Sequence, residues 1–307
     1  MDYTLNQLRI FLKVVEFESI TKAAEALHLT QPAVSIQLKN LQGQFDIPLV
    51  EVIGRKLFVT EFGHELADSV QRILDEVEDI KNKTLSHKGL LVGSLKFASA
   101  STGKYVMPYF LTDFAKRYNG VQLNMDVTNK STVLKHLEQN DVDFALVSVL
   151  PTDMNIERIE LMQNKLYMIR KNEGETLAKP MKPKAMEDIQ FLYREKGSAT
   201  RTAMESYISS HKVPLNKTIL LSSNEAVKQA VLAGLGYSLM PLIGLKNELT
   251  NNELEIVPMK DLPIITHWNI IWLKDKKLSL IAKAYLAFLE ENKKDIMKRN
   301  FNWYDKY

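Results

Sequence analysis

Cysteine is absent from all 307 residues. Disulfides, thiolate metal sites, a cysteine nucleophile and a redox-sensing thiol are therefore excluded, and the chain suits a reducing compartment. Long apolar runs are lacking too. No stretch approaches the ~18 residues of a membrane span, so no membrane partner is expected. The opening MDYTLNQL has no basic segment leading into an apolar run. No secretory signal is expected from it, and the protein is expected to be cytoplasmic. Charge of one sign is scarce. The net charge is +3, and residues 1–60 carry six basic and six acidic side chains. Gross charge names no partner here, so pattern has to.

Enzyme signatures are also missing. There is no GxxxxGK phosphate loop, no HExxH and no GxSxG. GLGYSL (Gly234 to Leu239) lacks the third glycine of a dinucleotide loop and closes a helix rather than opening one. The six histidines are scattered, without metal-ligand spacing. No catalytic residue, metal ligand or cofactor is assigned.

What is present falls into three zones. In residues 1–60, Leu5, Leu8, Phe11, Leu12 and Val15 recur at helical spacing. Thr21 to Leu27 is a short alanine-rich helix, whose Ala23, Ala24 and Ala26 permit close packing. Thr30 is an N-cap and Pro32 falls in the first turn, where a missing N–H costs nothing. Val34, Leu38 and Leu41 form an inward stripe. Gln31, Ser35, Gln37 and Lys39 lie opposite, with Ile36 between. A small helix packed under a second one that shows amides and hydroxyls is the arrangement that reads base edges in the major groove. An ordinary three-helix subdomain with a polar face is the plainer reading of the same pattern. After Gly54, Arg55 to Thr60 reads as a short hairpin or wing. The candidate DNA contacts are Thr30, Gln31, Pro32, Ser35, Ile36, Gln37, Lys39, Arg55 and Lys56.

Residues 61–90 read as one long helix. Leu66, Val70, Ile73, Val77 and Ile80 are spaced 4, 3, 4 and 3, a heptad seam that implies a partner helix, most simply from a second copy. Packing onto the chain's own body is the alternative. From about 91 to 300, strands and helices alternate, which predicts α/β architecture with parallel sheets. Expected strands include Leu95–Phe97, Val121–Val127, Phe144–Val149, Lys165–Arg170, Phe191–Arg194, Ile219–Leu221 and Trp268–Leu273. Expected helices include Tyr105–Tyr118, Ser131–Gln139, Thr200–His211, Asn224–Ala233 and Leu278–Glu291. The tail, 301–307, is unassigned.

Two hydroxyl-rich turns join strands to helices in this last zone: SASTGKY (Ser99 to Tyr105) and GSATR (Gly197 to Arg201). A helix N-terminus offers free N–H groups and positive potential to an anion, and Arg201 adds a forked cation. Alternatively, Ser198 and Thr200 simply cap a helix while Arg201 lies in solvent. Facing each other across a cleft between two lobes, the turns would hold a small anion. The candidate effector set is Ser99, Ser101, Thr102, Thr128, Asn129, Ser148, Ser198, Thr200, Arg201 and Asn224. The residues alone leave open a cytoplasmic small-molecule binding protein, or an α/β enzyme, without a DNA role.

LNQLRIFLKVVEFESITKAAEALHLTQPAVSIQLKNL closely resembles the winged helix-turn-helix of LysR-type transcriptional regulators, and VLAGLGYSLMP resembles a late motif of their effector domain. STGKYVMPYFL, REKGSATR and SSNEAVKQAVLAGLG look most like the branch controlling carbon-fixation operons. The resemblance spans essentially the whole chain. It implies a winged helix-turn-helix in 1–60 (helix-turn-helix about 20–41), a dimerising linker helix in 61–90, and an effector domain in 91–300 that resembles periplasmic binding proteins. Lobe I would take about 91–161 and 268–300, and lobe II about 162–267. It further implies promoter DNA with an interrupted inverted repeat, a dimer or tetramer, a small anionic effector, and RNA polymerase as a partner if the protein activates. The chain departs from the family at Asp46, commonly glycine, at Val50, commonly phenylalanine, and at Val52, commonly arginine, so the phosphate contact that the resemblance implies at that position is not expected here, while Arg55 and Lys56 remain available. Ile36 stands where relatives often have arginine. Gln42 replaces a frequent glutamate, a change expected to matter little.

Overall fold

Helix α1 (Leu5–Phe17) starts at a capping box in which Thr4 and Gln7 satisfy each other's backbone N–H. Its inward face is Leu8, Ile10, Phe11 and Val14, so Leu5 of the expected stripe is left 42% exposed. Helix α2 (Ile20–Ala26) follows, capped by Ser19, and α3 (Gln31–Gln42) is capped by Thr30, whose Oγ1 accepts from the Ala33 N–H at 3.4 Å. Ala23 and Ala24 are buried at the α2 crossing, but Ala26 faces solvent. The stripe Val34, Leu38 and Leu41 is buried as its spacing predicts. The computed structural model describes residues 2–54, 56–86, 91–174, 181, 186–213 and 217–307. These divide into two units, 1–90 and 91–307.

A wing completes the first unit. Strands β1 (Val50–Ile53) and β2 (Lys56–Val59) pair antiparallel, and Gly54 supplies the positive φ of 68° that the turn requires. Gln42 has more to do than expected. Its Oε1 accepts from the Leu49 N–H at 2.6 Å, and its Nε2 donates to the carbonyls of Ile47 (3.1 Å) and Phe45 (3.4 Å). The amide thus ties the loop between α3 and the wing. A glutamate would set a carboxylate against two carbonyls, so Gln42→Glu should destabilise this unit by about 1 kcal/mol, read as a lower thermal midpoint.

Helix α4 (Glu61–Ser86) departs from the predicted seam. Val70 is 1% exposed and packs with Ala67, Leu66 and Leu74 into the same core as α1. Leu66 and Val70 are therefore internal contacts, because the first turns of α4 must cover the open side of a small three-helix core. Farther along, Ile73 is 42% and Ile80 60% exposed, and Val77 is half-buried.

The second unit is built on a seven-stranded sheet. Its elements are β3 (Val92–Ala100), a 3-10 turn (Ser101–Tyr105), α5 (Met107–Arg117), β4 (Gly120–Thr128), α6 (Lys130–Glu138), β5 (Phe144–Val147) and β6 (Ile156–Lys171). Next come β7 (Gln190–Arg194), α7 (Ala199–Ser210), β8 (Lys217–Leu221), α8 (Asn224–Leu232), β9 (Ser238–Pro241), α9 (Lys246–Thr250) and β10 (Leu254–Ile256). The chain closes with β11 (Ile264–Leu273) and α10 (Leu280–Phe301). Sheet order is β10-β6-β11-β5-β3-β4, with β9 also on β6, and β7-β8 form a separate parallel pair.

The expectation of parallel sheets needs correcting. β3 is parallel to β4 and β5, but β11 runs antiparallel to β5 and β6, as do β9 and β10 to β6. The chain enters one lobe along β6 and returns along β11, so these two long strands must run in opposite directions. At one end β11 pairs with β5 (Asn269–Val147); at the other β6 pairs with β9 and β10. Their register shifts between Trp268 and Asn269, a bulge at the crossing.

An aromatic cluster of Phe97, Phe114, Phe144 and Tyr285 fills lobe I. Helix α10 runs ten residues past its expected end. The tail then folds as a 3-10 turn (Asn302–Lys306), burying Tyr304, whose Oη accepts from the Lys165 N–H at 2.9 Å. The glycines of GLGYSL are conformational. Gly234 (φ 81°) ends α8, and a Cβ on Gly236 (φ 156°) would lie 2.2 Å from the Gln190 carbonyl oxygen.

Candidate functional site

The first unit presents one polar face. Gln31, Pro32 and Lys39 of α3 are exposed, Ile36 is 56% exposed, and Ser35 and Gln37 are half-buried. Thr30 is exposed at the helix start, with its hydroxyl engaged in the cap. A groove between α3 and the wing is lined by Ser35, Lys39, Gln42, Pro48 and Val50. On the wing Lys56 is exposed; Arg55 lies outside the described residues. The wing also exposes the acidic Glu51 and three apolar side chains, Val52 at 67%, Ile53 at 64% and Phe58 at 43%.

In the second unit a cavity forms where the lobes meet at the crossing strands. Ser101 and Thr102 enter it from the 3-10 turn, Asn129 and Lys130 from the start of α6, and Ser148 from the end of β5. Ser198 and Thr200 enter from the start of α7, and Asn164, Thr266 and Trp268 from the crossing strands. Six candidates thus converge: Ser101, Thr102, Asn129, Ser148, Ser198 and Thr200. The cavity volume is ≈ 30 Å³, room for about two waters, so a larger ligand needs the lobes to part.

Four candidates lie elsewhere. Ser99 is fully buried, and its hydroxyl donates to the Ala100 carbonyl at 3.1 Å. Thr128 ends β4 outside the lining. Asn224 stands behind the wall and donates from Nδ2 to the Ser101 hydroxyl at 2.8 Å. Arg201 turns away altogether. Its Nε meets Glu205 at 2.7 Å, its Nη1 donates to the Arg194 carbonyl at 3.2 Å, and its guanidinium lies 6.0 Å from the Tyr193 ring centre. The reason is helical geometry. Each residue advances about 100°, so Thr200 and Ala203 share the cavity face while Arg201 does not.

The cation that lines the cavity is Lys130. Burial lowers its pKa below 10.5, with Asp153 opposing. Ser198 makes no side-chain cap bond, so it does not consume the first N–H groups of α7. Two buried polar atoms on lining residues, Trp268 Nε1 and Asn164 Oδ1, have no hydrogen-bond partner; Asn164 Nδ2 is taken by Thr266 Oγ1 at 3.0 Å. The wall therefore holds both an unused donor and an unused acceptor. Lobe-to-lobe bonds close the rim. Arg194 Nη1 donates to the Ser101 hydroxyl at 3.1 Å, and the Ser131 N–H to the Gly197 carbonyl at 3.3 Å. Lys130, Asn164, Trp268 and Arg194 escaped the sequence reading. Only Lys130 carried a local signal, as the residue after Asn129 at a strand-to-helix turn. Among the described residues no cluster of metal-ligating side chains occurs, and no helix is long and apolar enough to cross a membrane.

Comparison with known proteins follows the same division. Residues 5–64 match the model of the bacterial regulatory helix-turn-helix protein, lysR family, and residues 88–294 that of the LysR substrate binding domain. The chain is 34% identical over 287 residues to the HTH-type transcriptional activator CmpR of Synechocystis sp., covering 93% of this chain and 94% of that protein. A RuBisCO operon transcriptional regulator of Acidithiobacillus ferrooxidans is also 34% identical, with 93% of each chain covered. The regulatory domain of CcmR from Synechocystis PCC6803, solved in complex with 2-PG, is 31% identical, with a TM-score of 0.60 over 68% of this chain and 98% of that one.

Proposed function

This chain belongs to the LysR family of transcriptional regulators, and from that premise we propose that a small phosphorylated carboxylate, 2-phosphoglycolate, bound between its lobes controls its action on carbon-fixation genes. The observation that carries this reading is the cavity itself. Hydroxyls and amides from both lobes converge there with one desolvated lysine and an unused indole N–H. The anionic oxygens of such a ligand would give the lysine, the indole N–H and the free hydroxyls an acceptor. Because the donors come from both lobes, such a ligand has different affinity for closed and parted lobes, which is what shifting their populations requires. Lobe I is taken as 91–161 and 268–300, and lobe II as 162–267, with the pivot at the crossing strands.

Calorimetry of the full chain with 2-phosphoglycolate tests this. Saturable binding that is lost with the uncharged analogue ethylene glycol is expected, and equal binding of both would refute it. Arg201→Ala should leave the affinity unchanged, since its guanidinium serves Glu205 and the Arg194 carbonyl.

On the DNA side, Gln31, Pro32 and Ser35 are proposed to read bases, with Thr30, Ile36 and Gln37 beside them. Lys39, Arg55 and Lys56 are proposed to meet phosphates at an interrupted inverted repeat. The regulator is taken to work in the cytoplasm and, if it activates, to meet RNA polymerase.

Ile73 and Val77 on α4 are proposed to lie against the same helix of a second copy, in a dimer that pairs into a tetramer. Ile73→Asp would place an unpaired charge in that seam. It should shift the sedimentation profile toward smaller species at low concentration, and an unchanged profile would remove Ile73 from the interface. Val70→Asp would not serve, because Val70 belongs to the internal core.

A further inference from the structure

A second, roomier pocket lies beside the cleft, with walls from both lobes. Its volume is ≈ 400 Å³, within the range of small-molecule sites. Lobe I contributes Lys104 and Tyr109, with Trp303 from the C-terminal turn; lobe II contributes Lys228 and Lys246. Its floor is an interlobe ionic cluster. The Tyr105 hydroxyl donates to Glu225 at 3.0 Å, and Lys228 sits between Glu225 (3.2 Å) and Glu248 (2.7 Å). Burial raises the Tyr105 pKa to about 12, so the phenol remains a donor. The charge of Lys228 is thus already matched.

The other two lysines are in a different state. Lys104 Nζ lies 5.0 Å from the Tyr105 ring centre and Lys246 Nζ 5.6 Å from that of Trp303. Neither meets a carboxylate among the described residues. Tyr109 is 46% exposed at the same wall, edge-on to Phe301 at 5.1 Å. Two unmatched ammonium groups ask for at least two negative charges, and exposed aromatic rings ask for a flat ring. No single inorganic anion supplies both.

We propose that this pocket binds a nucleoside polyphosphate, its phosphates on Lys104 and Lys246 and its base against Tyr109 and Trp303. Lys104 belongs to lobe I and Lys246 to lobe II, so the phosphate chain ties the lobes together above the Tyr105–Glu225 hydrogen bond. The site stands apart from the cleft reading and needs only the two-lobed fold.

Calorimetry of the full chain with ADP, adenosine and inorganic pyrophosphate tests it. ADP should bind at least about tenfold more tightly than either part alone, and Lys104→Ala and Lys246→Ala should each weaken it about tenfold. Lys246→Arg should keep most of the affinity. Thr200→Val, a cleft substitution, should leave ADP binding unchanged whether or not the cleft takes 2-phosphoglycolate. Pyrophosphate binding as tightly as ADP would reduce the site to a charged patch. ADP binding indifferent to both lysines, lost with Thr200→Val, or absent altogether would each overturn the proposal.

Discussion

Lys130→Ala should weaken 2-phosphoglycolate binding by roughly ten- to a hundredfold, the worth of one charge-assisted hydrogen bond of about 1.5–3 kcal/mol in a desolvated site. Lys130 lines the closed cavity from the first turn of α6, and burial holds its ammonium below the usual 10.5. A charge kept there without a strong counter-ion is held at a cost that an anion relieves. The pH dependence follows from the direction of that shift. The ligand needs the charged ammonium, which is lost as pH rises through the lowered pKa. Affinity should therefore fall in the alkaline window beneath 10.5, and Lys130→Arg should abolish that fall. The same calorimetric titration, repeated across pH, reads both effects. If Lys130→Ala binds like the parent chain at neutral pH, the cation of this site lies elsewhere. Arg194 is then the alternative, 3% exposed and bonded to Ser101 across the lobes, and it would have to exchange its paired contact with Glu195 (2.8 Å) for the ligand.

How much of this was legible depended on the range of the interaction behind each feature. Thr30, Pro32 and the stripe Val34, Leu38, Leu41 were readable because a cap and a helical period are set within a dozen residues. The turns at Ser101 and Ser198 were readable for a similar reason, since a strand that stops and a helix that starts leave hydroxyls between them. The seam on α4 failed at Leu66 and Val70 because 4-3-4-3 spacing defines a face but not the body that covers it. Arg201 failed by one residue, since composition brings a cation near the turn while the 100° step of the helix decides where it points. Asn164 and Trp268 were invisible. They lie inside strands that alternation alone describes as core. The cavity exists only because β6 and β11 cross, which brings Asn164 to Thr266, 102 residues away.

Gln31→Ala should cost about 1–3 kcal/mol at the preferred operator and relax its specificity, with little change on random DNA. Gln31 is the first residue of α3 and is exposed, and its neighbours Val34, Leu38 and Leu41 hold the helix by its opposite face. The substitution therefore removes an amide without disturbing the core. An amide is the one uncharged side-chain group that donates and accepts side by side, which is how it pairs with the edge of an adenine. Phosphate contacts behave differently, being blind to sequence. Lys56, exposed at the start of β2, should on replacement by alanine weaken operator and random DNA alike and reduce the salt slope by about one. Fluorescence anisotropy with the chain's own upstream DNA and a scrambled duplex, each at two salt concentrations, separates the two behaviours. Equal weakening of both duplexes by Gln31→Ala would move base reading off the start of α3. The exposed positions that then remain farther along the helix are Ile36, Lys39 and Asn40, of which Ile36 could contribute an apolar contact to a thymine methyl and Asn40 an amide to an adenine.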